Sequence, residues 1–318
     1  MTNNLLLLLD TFYFLHRSFH SYPKDLKNSK GIHTNVVFGL AQTILDSLSE
    51  FNPSYIACGW ESEELPSFRK DLYKDYQKTR VEMEPDDLRI FRSQLPLAIN
   101  LLDAFNIPRL MENGFEGDDV VGTAAFKASK EVNVIIATSD QDLLQLINER
   151  INVFRPARPP FVHKQIFNTE EFIKKYKFSP DKMIDYKALR GDPSDNIPGV
   201  KGIGEKIATE LIAKYGSIED IYQNLNSIES VSVRKKLEID RDKAFLSKQL
   251  ATIITDIPMH FDLKKCEVHD FDIEKIRELF EEYEFRSLNK KLERLITIKG
   301  IKDKLQKDKK MGEQMGLI

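Results

Sequence analysis

The 318-residue sequence has little cysteine, little charge imbalance and no long apolar run, and each shortage excludes something. Its two cysteines, Cys58 and Cys266, lie far apart and in no metal-like spacing, which suits a reducing compartment better than a disulfide scaffold. Cys58 reads as a core residue. Lys plus Arg (47) nearly balance Asp plus Glu (50), so net charge announces no nucleic-acid partner, and local basic surfaces would have to meet one. The run Leu5 to Leu9 is too short for a signal-peptide core or a membrane span and ends in Asp10. A cytoplasmic protein with no membrane partner is expected. No internal repeat is visible. What is present, 41% hydrophobic and 10% aromatic residues, can bury a sizeable core in one large domain or two smaller ones.

The chain is organised around Asn113 to Ala125, where Glu116, Asp118 and Asp119 precede or open an apolar, small-residue run of helical character. Acids in a first turn are favoured by the macrodipole, so alone they read equally well as a plain helix start. Their context says more. Leu5 to Leu9, Tyr55 to Trp60, Ile107 to Met111 and Val132 to Thr138 read as strands, with helices such as Asn35 to Ser49 between them. This βαβ pattern predicts an α/β fold with a parallel sheet covered on both faces, whose ligands bind beyond the carboxyl ends of the strands. Asp10, Glu61, Glu116, Asp118, Asp119, Asp140 and Asp142 all fall at that edge. Gathered acids cannot all stay ionised without cations, which favours a metal site over independent caps.

A charged and aromatic insertion, Ser67 to Arg92, leaves the same edge and carries Lys74, Tyr76, Lys78 and Arg80. It could hold a nucleic-acid strand over the acids, or be a solvated helical face. Beyond Val153 a proline-stiffened connector, Arg155 to Pro160, leads into mostly helical sequence, with helices expected near Ala208 to Lys214, Asp240 to Leu250 and Ile273 to Tyr283. There Asp192 to Lys206 packs two aspartates, two prolines and three glycines into one loop before a helix. A proline turn and a helix start would explain it; so would backbone amides at Gly199, Gly202 and Gly204, with Lys201 and Lys206, approaching a DNA phosphate.

These residues resemble the 5′-nuclease superfamily, in particular the 5′ to 3′ exonuclease domain of bacterial DNA polymerase I and stand-alone flap endonucleases. Asp192 to Lys206 resembles the signature D-x-x-D-N-I-P-G-V-x-G-I-G-x-K, and the likeness extends to Glu116 to Thr123, Thr138 to Asp142, and Asp10 with Arg17, over about residues 5 to 295. The resemblance implies a PIN-like nuclease core over 1–160 with a helical arch at about 65–95. It implies a mainly helical region over 161–295 with a helix-turn-helix duplex grip at about 185–215. Beyond the resemblance, residues 296–318 are Lys-rich and weakly periodic, and a flexible basic tail is expected there. The resemblance also implies that the acids, Asp192 and Asp195 included, bind divalent metals, and that the helix-turn-helix loop holds a monovalent cation such as K⁺. Arg17 and Arg80 would meet phosphates. The polymerase modules are not in this sequence, so a stand-alone, monomeric nuclease is expected.

Two departures matter. Trp60-Glu61 stands where the family has Phe-Asp, with one residue more before Phe68-Arg69; Glu61, one methylene longer, can still reach a metal-bound water. The arch motif Tyr-Lys-x-x-Arg reads Tyr76-Gln77-Lys78-Thr79-Arg80, so Lys78 or Lys74 is the candidate replacement for the missing lysine. An all-carboxylate set suits two or more hard Mg²⁺ or Mn²⁺ ions, with Asp10, Glu116, Asp118 and Asp140 innermost and Glu61, Asp119, Asp142, Asp192 and Asp195 acting partly through water. The expected activity is metal-dependent hydrolysis at a 5′ end or flap of DNA. A DNA-structure binder without catalysis and a PIN-like ribonuclease are the alternatives. The final Gln314-Met315-Gly316-Leu317-Ile318 resembles the motif by which bacterial repair proteins dock on the sliding clamp, with Gln314, Leu317 and Ile318 as the docking residues.

Overall fold

Five consecutive leucines are accommodated only where both faces of a strand are covered, and Leu5–Asp10 (β1) lies at the centre of a six-stranded sheet. The computed structural model describes residues 4–62, 67–80, 82–157, 163–269 and 271–298. The other strands are β2 (Tyr55–Gly59), β3 (Arg109–Leu110), β4 (Asn133–Ala137), β5 (Ile151–Arg155) and β6 (Gln165–Phe167), in the order β3-β2-β1-β4-β5-β6. β1 pairs in parallel with β2 on one side and β4 on the other. Among the described strands β6 alone runs antiparallel, against β5. Chain order reverses at β1, which makes its carboxyl end the switch point of the sheet.

The helices are α1 (Thr11–Ser21), α2 (Asn35–Phe51), α3 (Phe68–Leu72), α4 (Pro85–Ser93), α5 (Leu95–Ala104), α6 (Gly117–Ala128), α7 (Thr169–Tyr176), α8 (Met183–Arg190), α9 (Glu205–Tyr215), α10 (Ile218–Gln223), α11 (Val231–Ile239), α12 (Arg241–Ala251), α13 (Ile273–Glu282) and α14 (Arg286–Ile298). Alternate residues of β1 feed two cores. Leu6 and Leu8 pack with Val120 and Ala124 of α6 and with the helices α7 to α9. Leu5, Leu7 and Leu9 pack with α1, α2 and α5, and with Ile276, Leu288 and Leu292 of the last two helices.

The connector after Arg155 leads to β6, which carries the sheet past the expected boundary at residue 160, and α13 and α14 return to α5 and α2. The rest of the described chain from 161 to 295 is mainly helical, as expected. In the arch region α3 has five residues, 74–79 are turns, and α4 begins at Pro85. Gln77 takes a left-handed φ of 60°, which a continuing helix does not admit, and Tyr76 is buried against Ile197 and Leu250. The basic tail with Gln314, Leu317 and Ile318 lies outside the described residues.

Candidate metal and nucleic-acid site

Asp10 closes β1 and caps α1, accepting from the Tyr13 N–H at 3.3 Å. Its second oxygen accepts from Thr138 Oγ1 at 2.6 Å, at the end of the adjacent β4. Thr138 Oγ1 in turn accepts from the Asp140 N–H at 2.9 Å, and Asp140 Oδ1 from the Asp142 N–H at 2.8 Å. One hydroxyl thus ties the acids after two neighbouring strands. On the other side α6 comes very close to β2. A Cβ on Gly59 would lie 2.5 Å from Val121 Cγ2, and one on Gly117 would lie 3.4 Å from Glu61 Cγ. The missing side chain at Gly59 lets α6 approach β2 this closely, and Glu116 then faces Glu61.

These acids strain one another electrostatically. Burial pushes Asp10 up to about 7, with Asp140 and Glu61 adding to the shift and the Thr138 and Tyr13 bonds opposing it. Asp118 is raised well above the usual carboxylate range, by burial and then by Asp140, Asp10 and Glu116. Burial also raises Asp140, against the pull of Lys187. Glu61, open at the rim but flanked by protein, is raised by desolvation and then by Glu116. As the side chains stand, no three His, Cys, Asp or Glu among the described residues converge tightly enough to hold a metal ion. The donors nevertheless fit a hard divalent cation. They are all carboxylate oxygens, and their mutual repulsion is what such a cation relieves.

The other four expected ligands already have cations from the chain. Asp119, fully buried, accepts from Arg69 Nη1 at 2.7 Å and Nη2 at 2.8 Å, from the Ile254 N–H at 2.9 Å and from the Glu116 N–H at 3.3 Å. With its oxygens so occupied, Asp119 ties α6 to α3 and to the chain after α12. Arg69 also donates to the carbonyls of Leu250 and Thr252, at 2.9 and 2.7 Å. Asp142 and Asp192 share the ammonium of Lys187, which donates to Asp192 Oδ2 at 2.7 Å. Burial tends to raise Asp192, but Lys187 and Ser194 outweigh it and hold the carboxyl below its ordinary value. Asp195 accepts from Arg80 Nη2 at 2.6 Å and Nε at 3.0 Å.

The basic and aromatic candidates divide as well. Tyr76, expected to face DNA, is 5% exposed and donates its hydroxyl to Glu116 Oε2 at 3.2 Å, so it packs rather than stacks on a base. Arg17, expected at the phosphates, donates to the Ala157 carbonyl at 2.5 Å. It lines a cavity with Tyr22, Asp46 and Lys164, away from the acids. Lys78 is held by Asp75 at 2.9 Å, and Lys74 is exposed. The loop 192–198 carries the turn segment: the Gln77 N–H donates to the Asp195 carbonyl at 2.9 Å and Asn196 Nδ2 to that of Asp75 at 2.6 Å.

Between α8 and α9 the loop forms the expected helix-turn-helix. Gly199, at φ 60°, is buried so close to Gly191 that a Cβ would stand 2.3 Å from its nitrogen; glycine is required there. Lys201, Gly202, Gly204 and Lys206 are exposed together at the opening of α9, and the Lys201 N–H is oriented by Asp240 Oδ2 at 2.9 Å. Sequence reasoning missed Lys187 and gave Arg69 no role. The available signal was a lysine among Met183, Tyr186, Ala188 and Leu189, buried apolar residues of α8.

Two family models match the chain: the 5′-3′ exonuclease N-terminal resolvase-like domain over residues 5–177 and the 5′-3′ exonuclease C-terminal SAM fold over 178–274. DNA polymerase I of Caldicellulosiruptor bescii is 38% identical over 291 residues, which cover 90% of this chain and 33% of that protein. DNA polymerase I of Bacillus subtilis is 33% identical over 291 residues, 91% of this chain and 32% of that protein. The chain therefore spans about a third of the length of these relatives. Among solved structures, T5 5′-exonuclease with bound zinc superposes with a TM-score of 0.65 at 18% identity, covering 92% of this chain and 99% of that one. Human GEN1 in complex with Holliday junction DNA gives 0.63 at 16% identity, covering 92% and 71%. These two likenesses show the fold.

Proposed function

The chain belongs to the 5′-3′ exonuclease family, and from that premise we propose that it hydrolyses phosphodiester bonds at the 5′ end, nick or flap of duplex DNA with divalent metal ions. The observation that carries this reading is the gathering of Asp10, Glu61, Asp118 and Asp140, each raised as an acid, with Glu116 among them, at the carboxyl edge of a switch-point sheet. Those five would hold the ions, with Asp142 and Asp192 at the flank. Bound there, Mg²⁺ or Mn²⁺ would activate a water and stabilise the leaving oxygen at phosphorus. The chain's own residues do the rest. Thr138 fixes the orientation of Asp10, Tyr76 that of Glu116, and Arg80 stands at the mouth to meet a phosphate. The exposed Lys201 and Lys206, with the amides that open α9, would grip the duplex backbone, with K⁺ as the monovalent ion of that loop. A labelled 5′-flap duplex should be cut with Mg²⁺ and spared by Asp118→Ala; full cutting in EDTA removes this reading.

T5 D15 flap endonuclease has been solved with DNA and metal ions, which supports DNA as the partner here. We place the protein in a reducing compartment, the cytoplasm, which the two free, buried cysteines suit, and propose that it acts as a monomer. Among the described residues no helix is long and apolar enough to cross a membrane. The C-terminal Gln314, Leu317 and Ile318 would dock on the sliding clamp. Deleting 314–318 should abolish clamp pull-down and leave flap cleavage by the free enzyme unchanged; equal clamp binding by the truncated chain removes that partner.

A further inference from the structure

Lys187 is the anomaly of the α8 face. Its side chain is 2% exposed, yet it carries an ammonium, and its salt-bridge partners are Asp142 and Asp192. These two acids come from different places. Asp142 opens the short 3-10 turn after β4, whereas Asp192 begins the helix-turn-helix loop, five residues beyond Lys187 itself. Asp140, one of the mutually raised acids, also feels this cation. A buried ammonium is tolerable only when paired, and two neighbouring carboxylates are tolerable only with a cation between them. Lysine and acids thus solve each other's desolvation, and in doing so they fasten the nuclease edge to the duplex grip.

We propose that Lys187 is a positioning residue, a built-in counter-cation that holds Asp142 and Asp192 together and is displaced when a divalent ion takes those carboxylates. The inference rests on the metal reading above. Two charges on one ion neutralise two carboxylates, whereas the ammonium supplies one, so exchange is favoured once the ion arrives. Nζ sits on a flexible stem that can withdraw along α8 without moving the helix. Lys187 therefore keeps the site assembled in the absence of metal and weakens metal uptake at Asp142 and Asp192, the two effects having one cause.

The test uses the full chain, stripped of metal and without DNA, titrated with Mn²⁺ by calorimetry and by electron paramagnetic resonance. K187M should bind at least one Mn²⁺ about tenfold more tightly than wild type, a difference of about 1.4 kcal/mol. In EDTA it should melt lower than wild type and recover more on adding Mn²⁺, while K187R should keep the wild-type behaviour in both respects. If K187M does not fold, K187Q, which retains a donor without the charge, decides by the same two measurements. Equal Mn²⁺ affinity and equal melting in EDTA overturn the role of Lys187 alone. Absence of Mn²⁺ binding in wild type and variants alike removes the metal reading together with it.

Discussion

The inner acids and the flanking acids of the same sheet edge have the same chemistry and opposite states. Asp10 and Asp140 are held by hydrogen bonds, and all four inner acids, Asp10, Glu61, Asp118 and Asp140, are raised. Asp119, Asp142, Asp192 and Asp195 each have a base: Arg69, Lys187 or Arg80. An anion that the chain neutralises is held in place without an ion from outside. One that the chain leaves in repulsion requires something from outside, and that difference separates the inner set from the flank better than sequence motif alone.

The comparison breaks most visibly at the inner set. Asp118→Asn should cost turnover on the order of a thousandfold, the several kcal/mol that metal chemistry supplies, while raising the melting temperature in EDTA because a repelled charge is gone. Loss of melting temperature instead would mean that Asp118 is framework. The same repulsion fixes a pH response of the metal-free protein. Between the ordinary 3.8 and about 7 the folded state keeps a proton on Asp10 that the unfolded chain has released. Stability from this group therefore falls as pH rises across that window, and Asp118 acts in the same direction. Urea unfolding in EDTA across the window should show it, and Mg²⁺ should flatten it. At the flank the expectation reverses. Arg69→Ala strands a buried carboxylate and should cost about 3–5 kcal/mol in urea unfolding at any metal concentration; a loss under about 1 kcal/mol would show that Asp119 is not framework.

How much of this was legible follows from range. Leu5 to Leu9, Tyr55 to Trp60 and Val132 to Thr138 announce buried parallel strands by local composition, and the acids after them fall at one edge by topology alone. β6 was not legible, because three residues behind a proline-rich connector carry too little period to read. The division of the acids was equally hidden. It depends on Arg69 meeting Asp119 across 50 positions, and Arg80 meeting Asp195 across 115, and no local pattern encodes either contact. Tyr76 was misread for the same reason: interleaved with bases in sequence, it looks like a stacking residue, but Ile197 and Leu250 bury it from the far side of the chain.

Arg80 and the two lysines give the finest test. Arg80 is 56% exposed, so its pair with Asp195 is screened and its loss should cost stability no more than about 1 kcal/mol. Turnover is different, because the same guanidinium at the mouth of the acid group can meet phosphate charge that develops in the transition state; Arg80→Ala should lower it by about 10- to 100-fold with duplex affinity nearly kept. Gln77 occupies the family's lysine position, and its left-handed backbone fixes what can replace that lysine. Both lysines are exposed, but Lys78 is paired with Asp75. The smaller expected effect therefore belongs to Lys78→Ala, within about twofold, and the larger to Lys74→Ala, about fivefold, both read as single-turnover rates on flap DNA. If Lys78→Ala is the more damaging, the Asp75 pair opens on binding DNA and the flank yields cations to substrate. If neither changes the rate, Arg80 is the cation that the turn segment contributes to turnover.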